Sequence, residues 1–419
     1  GMNHGDKTYF LLCKVARVAL LLCALYLTAG APAFYSRRAA VRLCRAYNLD
    51  NASLSVTPFS VRIGVEICGA YTEISRPVKR GTDLGLYELC GRALRAAEGG
   101  APLSAVSAVL EGARNIKRQK IRTVFGSAMA CGAFCAMFGG GLAECAAAVI
   151  SGIVCALLNI LLKKYQFIAP LVLSLCGGAV CTVFSFAAHV FFIEFDYSLA
   201  ALGAVMPIIP GIKLCASLCD IFFGDLICGG YRLACALVQA AAVSSGFALF
   251  YLIVPHINTF QPAVCAELPL CAAYAFLGAA GFALMLSSAA PVALCGAAVA
   301  AAVNTLFLFL PKSFIFFSLF AAVVAAYMAC NLLKLFVLEK AAVLIVALIP
   351  LVPGGMAYLS FVFLLCGNLL SAFNAAGAAI SAFAAMSLAV SACVNSERIF
   401  SAISERYKAV RPCNNVVRG

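Results

Sequence analysis

The chain has 419 residues, 64% of them hydrophobic and 11% charged, with a mean hydropathy of +1.01 and a net charge of +13. A soluble core of this length does not need so much apolar surface, so most of the chain belongs in a lipid bilayer. The positive balance calls for no nucleic-acid partner, because cytoplasmic loops of membrane proteins carry excess Lys and Arg and no aromatic-interleaved basic patch is present.

Charge is unevenly spread. Residues 1–120 hold 17 of the 30 Lys and Arg and 8 of the 17 acidic residues, which sets a basic N-terminal region apart from a polytopic membrane region. Lys7, Lys14 and Arg17 precede an apolar run at 18–29, and Ala31-Pro32-Ala33 follows. Two readings stand: a signal peptide, or an apolar helix too short to span a bilayer, packed on a sheet. Strands are expected at 54–58, 61–67 and 70–78, where side chains alternate in character. Helices are expected at 32–47, which carries Arg37, Arg38, Arg42 and Arg45, and at about 83–97 and 103–116. Residues 1–116 thus read as a cytoplasmic α+β domain. Glu66, Glu73, Asp83 and Glu88 are scattered along it without a nucleophile elbow, a P-loop or a paired His and carboxylate, so no enzymatic activity is expected. A membrane-anchored hydrolase using this domain is the alternative of another class.

Apolar runs then recur at about 122–138, 142–162, 167–192, 197–219, 230–254, 264–286, 292–310, 313–333, 340–366 and 372–393, ten expected transmembrane helices. Arg114, Lys117, Arg118, Lys120 and Arg122 precede the first, Lys163 and Lys164 follow the second, and Lys334 follows the eighth. Arg398, Arg406, Lys408 and Arg411 follow the tenth. These ends are expected on the cytoplasmic side, both termini included, with Glu194 and Asp196 outside and Lys312 the one exception. The expected location is the plasma membrane. The spans divide at an external loop around His256 to Glu267 into a first five-helix repeat (117–259) and a second (260–395), with a cytoplasmic tail at 396–419. Five crossings per copy force the second copy into inverted topology. Gly152 and Gly296 are a weaker echo of the repeat.

The repeat is carried by a motif. Met206-Pro207-Ile208-Ile209-Pro210-Gly211 returns as Ile349-Pro350-Leu351-Val352-Pro353-Gly354, 143 residues on, and Gly224-Asp225 returns as Gly367-Asn368. Proline has no N–H and clashes with the preceding turn, so each copy breaks its helix. Broken helices at membrane depth survive where protein or water satisfies the backbone, and paired breaks mark transporter sites. The half-helix N–H end after Pro210 and Gly211 attracts a substrate carboxylate; freed carbonyls and an aspartate suit an ammonium group. Pro350, Pro353 and Gly354 supply the same elements in the second copy.

Charges follow only the first break. Lys213 and Asp220 are seven apart, on one helical face, and Asp225 and Arg232 repeat the spacing, with Arg232 expected as a structural charge partner. Either Asp220 and Asp225 carry the coupling proton inside the membrane, or 220–232 is a cytoplasmic loop and both are solvated. Asn368 mirrors Asp225 but cannot titrate. Glu144 is expected at the outer end of the second span. The 22 cysteines contain no C-x-x-C pair and only three histidines accompany them, so Cys131/Cys135 and Cys215/Cys219 read as helix packing and neither metal nor cofactor is expected.

The stretch 205–232 resembles the signature of the threonine/serine exporter family, in which a proline-proline-glycine break is followed by an aspartate, a Gly-Asp pair and an arginine. The motif at 349–354 is similar to the signature of that family's smaller second module, here fused to the first. Ala29-Gly30-Ala31-Pro32-Ala33-Phe34 and Val56-Thr57-Pro58 resemble its cytoplasmic N-terminal domain. The resemblance implies proton-driven export of small hydroxy-amino acids, or of small dicarboxylates such as succinate as in split relatives. The expected partners are that small amino acid or carboxylate, protons, the bilayer and possible further copies of the chain. Ala216 and Cys219 stand where members commonly carry Asn and Arg, and Arg37 stands near a position that is acidic in many.

Overall fold

The computed structural model describes residues 4–67, 70–114, 119–162, 170–191, 195–253, 268–333 and 339–410. Of the charges that set the expected topology, Lys117, Arg118, Lys163, Lys164, Glu194, Lys334 and Arg411 lie outside the described residues, as does the loop from His256 to Glu267.

The N-terminal region is built around its most apolar helix. α1 (His4–Ala29) is buried from Val15 to Leu27 except at Arg17. It is enclosed by α2 (Ala33–Ala46), by a sheet, and by α3 (Leu84–Glu98) and α4 (Leu103–Arg114). The sheet is an antiparallel meander of β1 (Ala52–Val56), β2 (Ser60–Ile67) and β3 (Ala70–Pro77), with Ile63 opposite Leu54 and Ile74. Val61, Ile63 and Val65 turn inward while Arg62 and Glu66 turn out, the period-two pattern of a half-buried strand. The three strands and α2–α4 start and end within two residues of the sequence pattern, whereas α1 begins at His4, well before the apolar run at 18–29. The Tyr9–Ala29 part of α1 is long and apolar enough to cross a membrane, yet 67% of its apolar window is buried inside the protein.

Twelve helices follow: α5 (Lys120–Met137), α6 (Leu142–Leu162), α7 (Pro170–Phe191), α8 (Tyr197–Val205), α9 (Gly211–Phe222) and α10 (Leu226–Ile253), then α11 (Leu268–Met285), α12 (Ala290–Phe309), α13 (Ile315–Leu332), α14 (Lys340–Leu348), α15 (Gly354–Leu365) and α16 (Leu369–Val410). Among the described residues eight helices are long and apolar enough to cross a bilayer, α1 included, and α14–α15, bent by 44°, is a ninth as a pair. α5 and the pair α8–α9 do not meet that measure, because Lys120 and Arg122 dilute the first and the break shortens the second. Length and hydropathy alone therefore do not reach the expected ten.

The two sets of six use their neighbours alike. α5 packs on α6 and α8, and α11 on α12 and α14; α7 packs on α10, and α13 on α16. α10 also packs on α15, while α16 packs on α9, so the sets exchange elements. α5 and α11 cross at Gly126 and Gly281, where a Cβ on Gly126 would lie 2.5 Å from the Gly281 carbonyl oxygen. Gly152 packs against Cys131 on α5, whereas Gly296 packs against Val346 on α14. Those two glycines thus serve different contacts and are not equivalent.

Candidate transport site between the two breaks

Each break has the same backbone. After α8 the chain turns through Ile208 N–H to Val205 O (2.9 Å) and Gly211 N–H to Ile209 O (2.9 Å). After α14 it turns through the 3-10 segment Ile349–Leu351 and Gly354 N–H to Val352 O (2.8 Å). Pro210 has φ −80°, ψ 41° and Pro353 has φ −77°, ψ 41°, and no side chain caps the helix that either one opens. The breaks touch. A Cβ on Gly211 would stand 2.5 Å from Val352 Cγ1, and one on Gly354 would stand 3.1 Å from Ile209 Cγ2. A methyl at Gly211 would displace the Val352 side chain, while one at Gly354 would press Ile209 back by a few tenths of an ångström.

Together the breaks line one cavity of about 730 Å³. Pro207, Pro210, Gly211 and Lys213 face it from the first half, and Pro350, Pro353 and Gly354 from the second. Phe134 and Phe282, on α5 and α11, meet edge to face at 5.6 Å on its wall. Sequence reasoning missed the polar groups that complete it. Lys213 Nζ donates to Gln239 Oε1 at 2.8 Å, and Gln239 Nε2 donates to the break carbonyl of Ile208 at 3.3 Å. Asn304 on α12 and Arg80 and Thr82 of the N-terminal region also line the cavity. Gln239 and Asn304 are isolated amides in apolar spans, a signal that membrane burial makes meaningful; nothing in the sequence marks Arg80.

The other expected site residues lie elsewhere. Asp220, fully buried, accepts the Ala33 amide at 2.6 Å and the Phe34 amide at 3.4 Å, at the start of α2. Arg232 stands 3.5 Å from it and donates to the Ala31 carbonyl at 2.9 Å. Arg232 therefore pairs with Asp220 rather than with Asp225. Asp225 accepts the Cys228 amide at 3.0 Å and Asn368 accepts the Ser371 amide at 3.2 Å. Each opens its helix after a left-handed glycine, Gly224 (φ 87°) and Gly367 (φ 81°). These two residues are mirrored helix caps. Glu144 is buried and accepts the Asp196 amide at 3.0 Å.

Two further carboxylates fasten the N-terminal region. Glu88 on α3 accepts the Ser288 hydroxyl at 2.7 Å and the Ala289 amide at 3.0 Å, where α12 begins. Glu339, just before α14, accepts from Tyr35 at 3.2 Å and pairs with Arg95. Burial pushes both above the ordinary carboxylate value, against the hydrogen bonds and arginines that favour the charged form. Among the described residues no group of three His, Cys, Asp or Glu is placed to hold a metal ion.

Comparison with known proteins places these observations in a family. The family model described as "Putative threonine/serine exporter" matches residues 17–254, more than half of the chain. No curated protein and no solved structure matches.

Proposed function

The chain belongs to the threonine/serine exporter family, and from that premise we propose that it is a proton-coupled secondary exporter of small amino acids, working by alternating access at the cavity between the breaks. The observation that carries this reading is the single cavity lined by both copies of the motif. A site shared by two like halves opens to either side as one half rocks against the other.

In this reading the ten helices or helix pairs of the membrane domain form two inverted five-helix repeats in the plasma membrane, with both termini cytoplasmic. Its support is the exchange of neighbours, α10 on α15 and α16 on α9, together with the like geometry of Pro210 and Pro353. The substrate carboxylate is taken by Lys213 and the half-helix amides. Asp220 is the coupling residue, because it is a buried carboxylate whose charge rests on Arg232 and two backbone amides. Asp225 is engaged as a cap, so it ranks behind Asp220 in that role. The test is counterflow of labelled threonine or serine into proteoliposomes under an imposed pH gradient. Absence of flux with either amino acid, at any gradient, sinks the reading.

Export of a small dicarboxylate is the second reading. The cavity lining holds Lys213 and Arg80 and, among the described residues, no acidic side chain, so a substrate ammonium finds no carboxylate there. Succinate flux without threonine flux decides for it.

A further inference from the structure

A second cavity, of about 790 Å³, lies where the N-terminal region meets the starts of α5 and α12. Its lining is apolar at Leu21 and Leu25 on α1 and at Leu86 and Leu89 on α3. It is basic at three arginines from three elements: Arg76 near the end of β3, Arg92 on α3 and Arg122 in the first turn of α5. Two of them flank one turn. Arg122 donates to the Ser288 carbonyl at 2.6 Å, while Glu88 accepts the Ser288 hydroxyl at 2.7 Å and has Arg92 Nη2 3.9 Å away. At that distance the Arg92 contact is too long for a hydrogen bond. The acids that share the lining are already engaged with the backbone: Asp83 accepts the Leu86 amide at 3.0 Å and Glu88 accepts the Ala289 amide at 3.0 Å. The guanidinium donors of Arg76 and Arg92 are left for another acceptor.

We infer that this cavity binds a phosphate monoester with an apolar body, its phosphate on Arg76, Arg92 and Arg122 and its body on the leucines of α1 and α3. Three physical points support the ligand class. Guanidinium groups present forked donors that match phosphate oxygens, which is why arginine is over-represented at phosphate sites. A monoester offers three acceptor oxygens and close to two negative charges, a better match to three arginines than the two oxygens of one carboxylate. A bare anion fills little of 790 Å³, whereas cavities of several hundred Å³ hold ligands with a substantial organic body. Two sources share this chemistry. Basic pockets at the ends of membrane helices take anionic lipid headgroups, and a soluble phosphate monoester presents the same group. Arg76 and Arg92 belong to the N-terminal region and Arg122 to the membrane helices, so one phosphate fastens the two together. Gly81 and Thr82 line this cavity and also the one between the breaks, which sets the ligand one backbone segment away from the candidate transport site.

The experiment is titration of the purified full-length protein, in neutral detergent, with phosphatidic acid, adenosine monophosphate and inorganic phosphate. Phosphatidylcholine and adenosine are the counterparts without a monoester. Binding is read directly and needs no flux, so its outcome is separate from that of the transport reading. Tight binding of phosphatidic acid alone identifies a lipid source, and binding of adenosine monophosphate a soluble one; either supports the site. Inorganic phosphate has no body and is expected to bind about tenfold more weakly or worse. Arg76→Gln with Arg92→Gln spares the bond from Arg122 to Ser288 and is expected to weaken the monoester about tenfold, the worth of two partly exposed charge contacts. If that variant does not fold, Arg92→Gln alone should weaken it about threefold. Arg45→Gln with Arg62→Gln removes two exposed arginines of the same region that do not line the cavity, and is expected to change nothing. The proposal is overturned if neither monoester binds more tightly than its counterpart, if inorganic phosphate binds as well as the monoester, or if the two pairs of arginine substitutions weaken binding alike, which would mark a bulk field rather than a site.

Discussion

Asp220 carries two roles that one pair of substitutions separates. Its carboxylate is fully buried and faces a guanidinium 7% exposed at 3.5 Å, while its other oxygen receives the first amides of α2. Removing one partner of a buried ion pair typically costs about 3–5 kcal/mol, because the remaining charge is left without compensation. Asp220→Asn keeps an oxygen for the Ala33 amide, so its cost belongs near the lower end, about 3 kcal/mol, or roughly two orders of magnitude in the docking equilibrium of α2. Asp220→Ala also loses the acceptor for the α2 amides, worth about a further 0.5–2 kcal/mol. Combining Asp220→Asn with Arg232→Met removes both charges, and a buried pair replaced by neutral groups is often no less stable than the original. Hydrogen exchange across residues 33–46 reads the docking, and pH-dependent flux in proteoliposomes reads the coupling. Each single variant should lose protection in α2, and the double variant should regain it while its transport stays insensitive to pH. Unchanged protection in Asp220→Asn refutes the docking argument. Parental pH dependence in the double variant refutes the proton role and leaves Asp220 as an anchor.

Other expected outcomes follow from the same geometry. Asp225→Asn keeps the cap and should transport like the parent, as its mirror Asn368 suggests, whereas Asp225→Ala should lower stability by about 0.5–2 kcal/mol in denaturant melts; abolished transport in Asp225→Asn would return that residue to the proton path. Gly126→Ala places a methyl 2.5 Å from the Gly281 carbonyl and 2.6 Å from the Met285 amide, and should cost about 1–3 kcal/mol by overpacking; an unchanged melting temperature contradicts the close crossing of α5 and α11. Burial raises Glu88, with Ser288, Ala289 and Arg92 opposing it and Glu339 adding to it. A carboxylate raised in the folded protein contributes stability that is fully present below its unfolded value and lost as pH rises through the folded value. The parent melting temperature should therefore fall relative to Glu88→Gln as pH climbs from below the ordinary carboxylate range toward neutral. A constant difference between the two proteins across that range refutes it.

The breaks were legible in the sequence because their cause is local: prolines without donors and a glycine at a point of contact leave the helix no alternative. The N-terminal elements were legible for a like reason, since alternation along 61–67 and the amphipathic helices around it state which face is inward. The direction of Asp220 was not. Seven residues put Lys213 and Asp220 on one helical face, but what lies against each end of that face is decided by distant chain. Lys213 meets Gln239 on α10, and Asp220 meets amides 187 residues earlier in the chain. Arg232 chose Asp220 over Asp225 for the same reason: Asp225 is held by the first turn of its own helix, while Asp220 is drawn into the same seam as Arg232.

The mirror of Glu339 carries the argument to the whole molecule. Asp196 stands 143 residues earlier and opens α8 as Glu339 opens α14. Asp196 accepts the Ser198 amide at 2.9 Å and the Leu199 amide at 3.4 Å, and so caps its own helix. Glu339 makes no such cap and turns to Tyr35 and Arg95 of the N-terminal region. Two acids 143 residues apart thus do different work: among the described residues Glu339 meets the N-terminal region, while Asp196 caps its own helix. In the proposed inverted arrangement, bare repeats would hold the two access states near equal energy, since each state is the other with the halves exchanged. The N-terminal region grips α9 through Asp220, α14 through Glu339 and the start of α12 through Glu88, elements drawn from both halves. Exchanging the halves cannot preserve all three contacts. Under the proposed alternating access, a region whose contacts differ between states biases the equilibrium by that difference, and Gly81 and Thr82 of this region line the cavity that both breaks share.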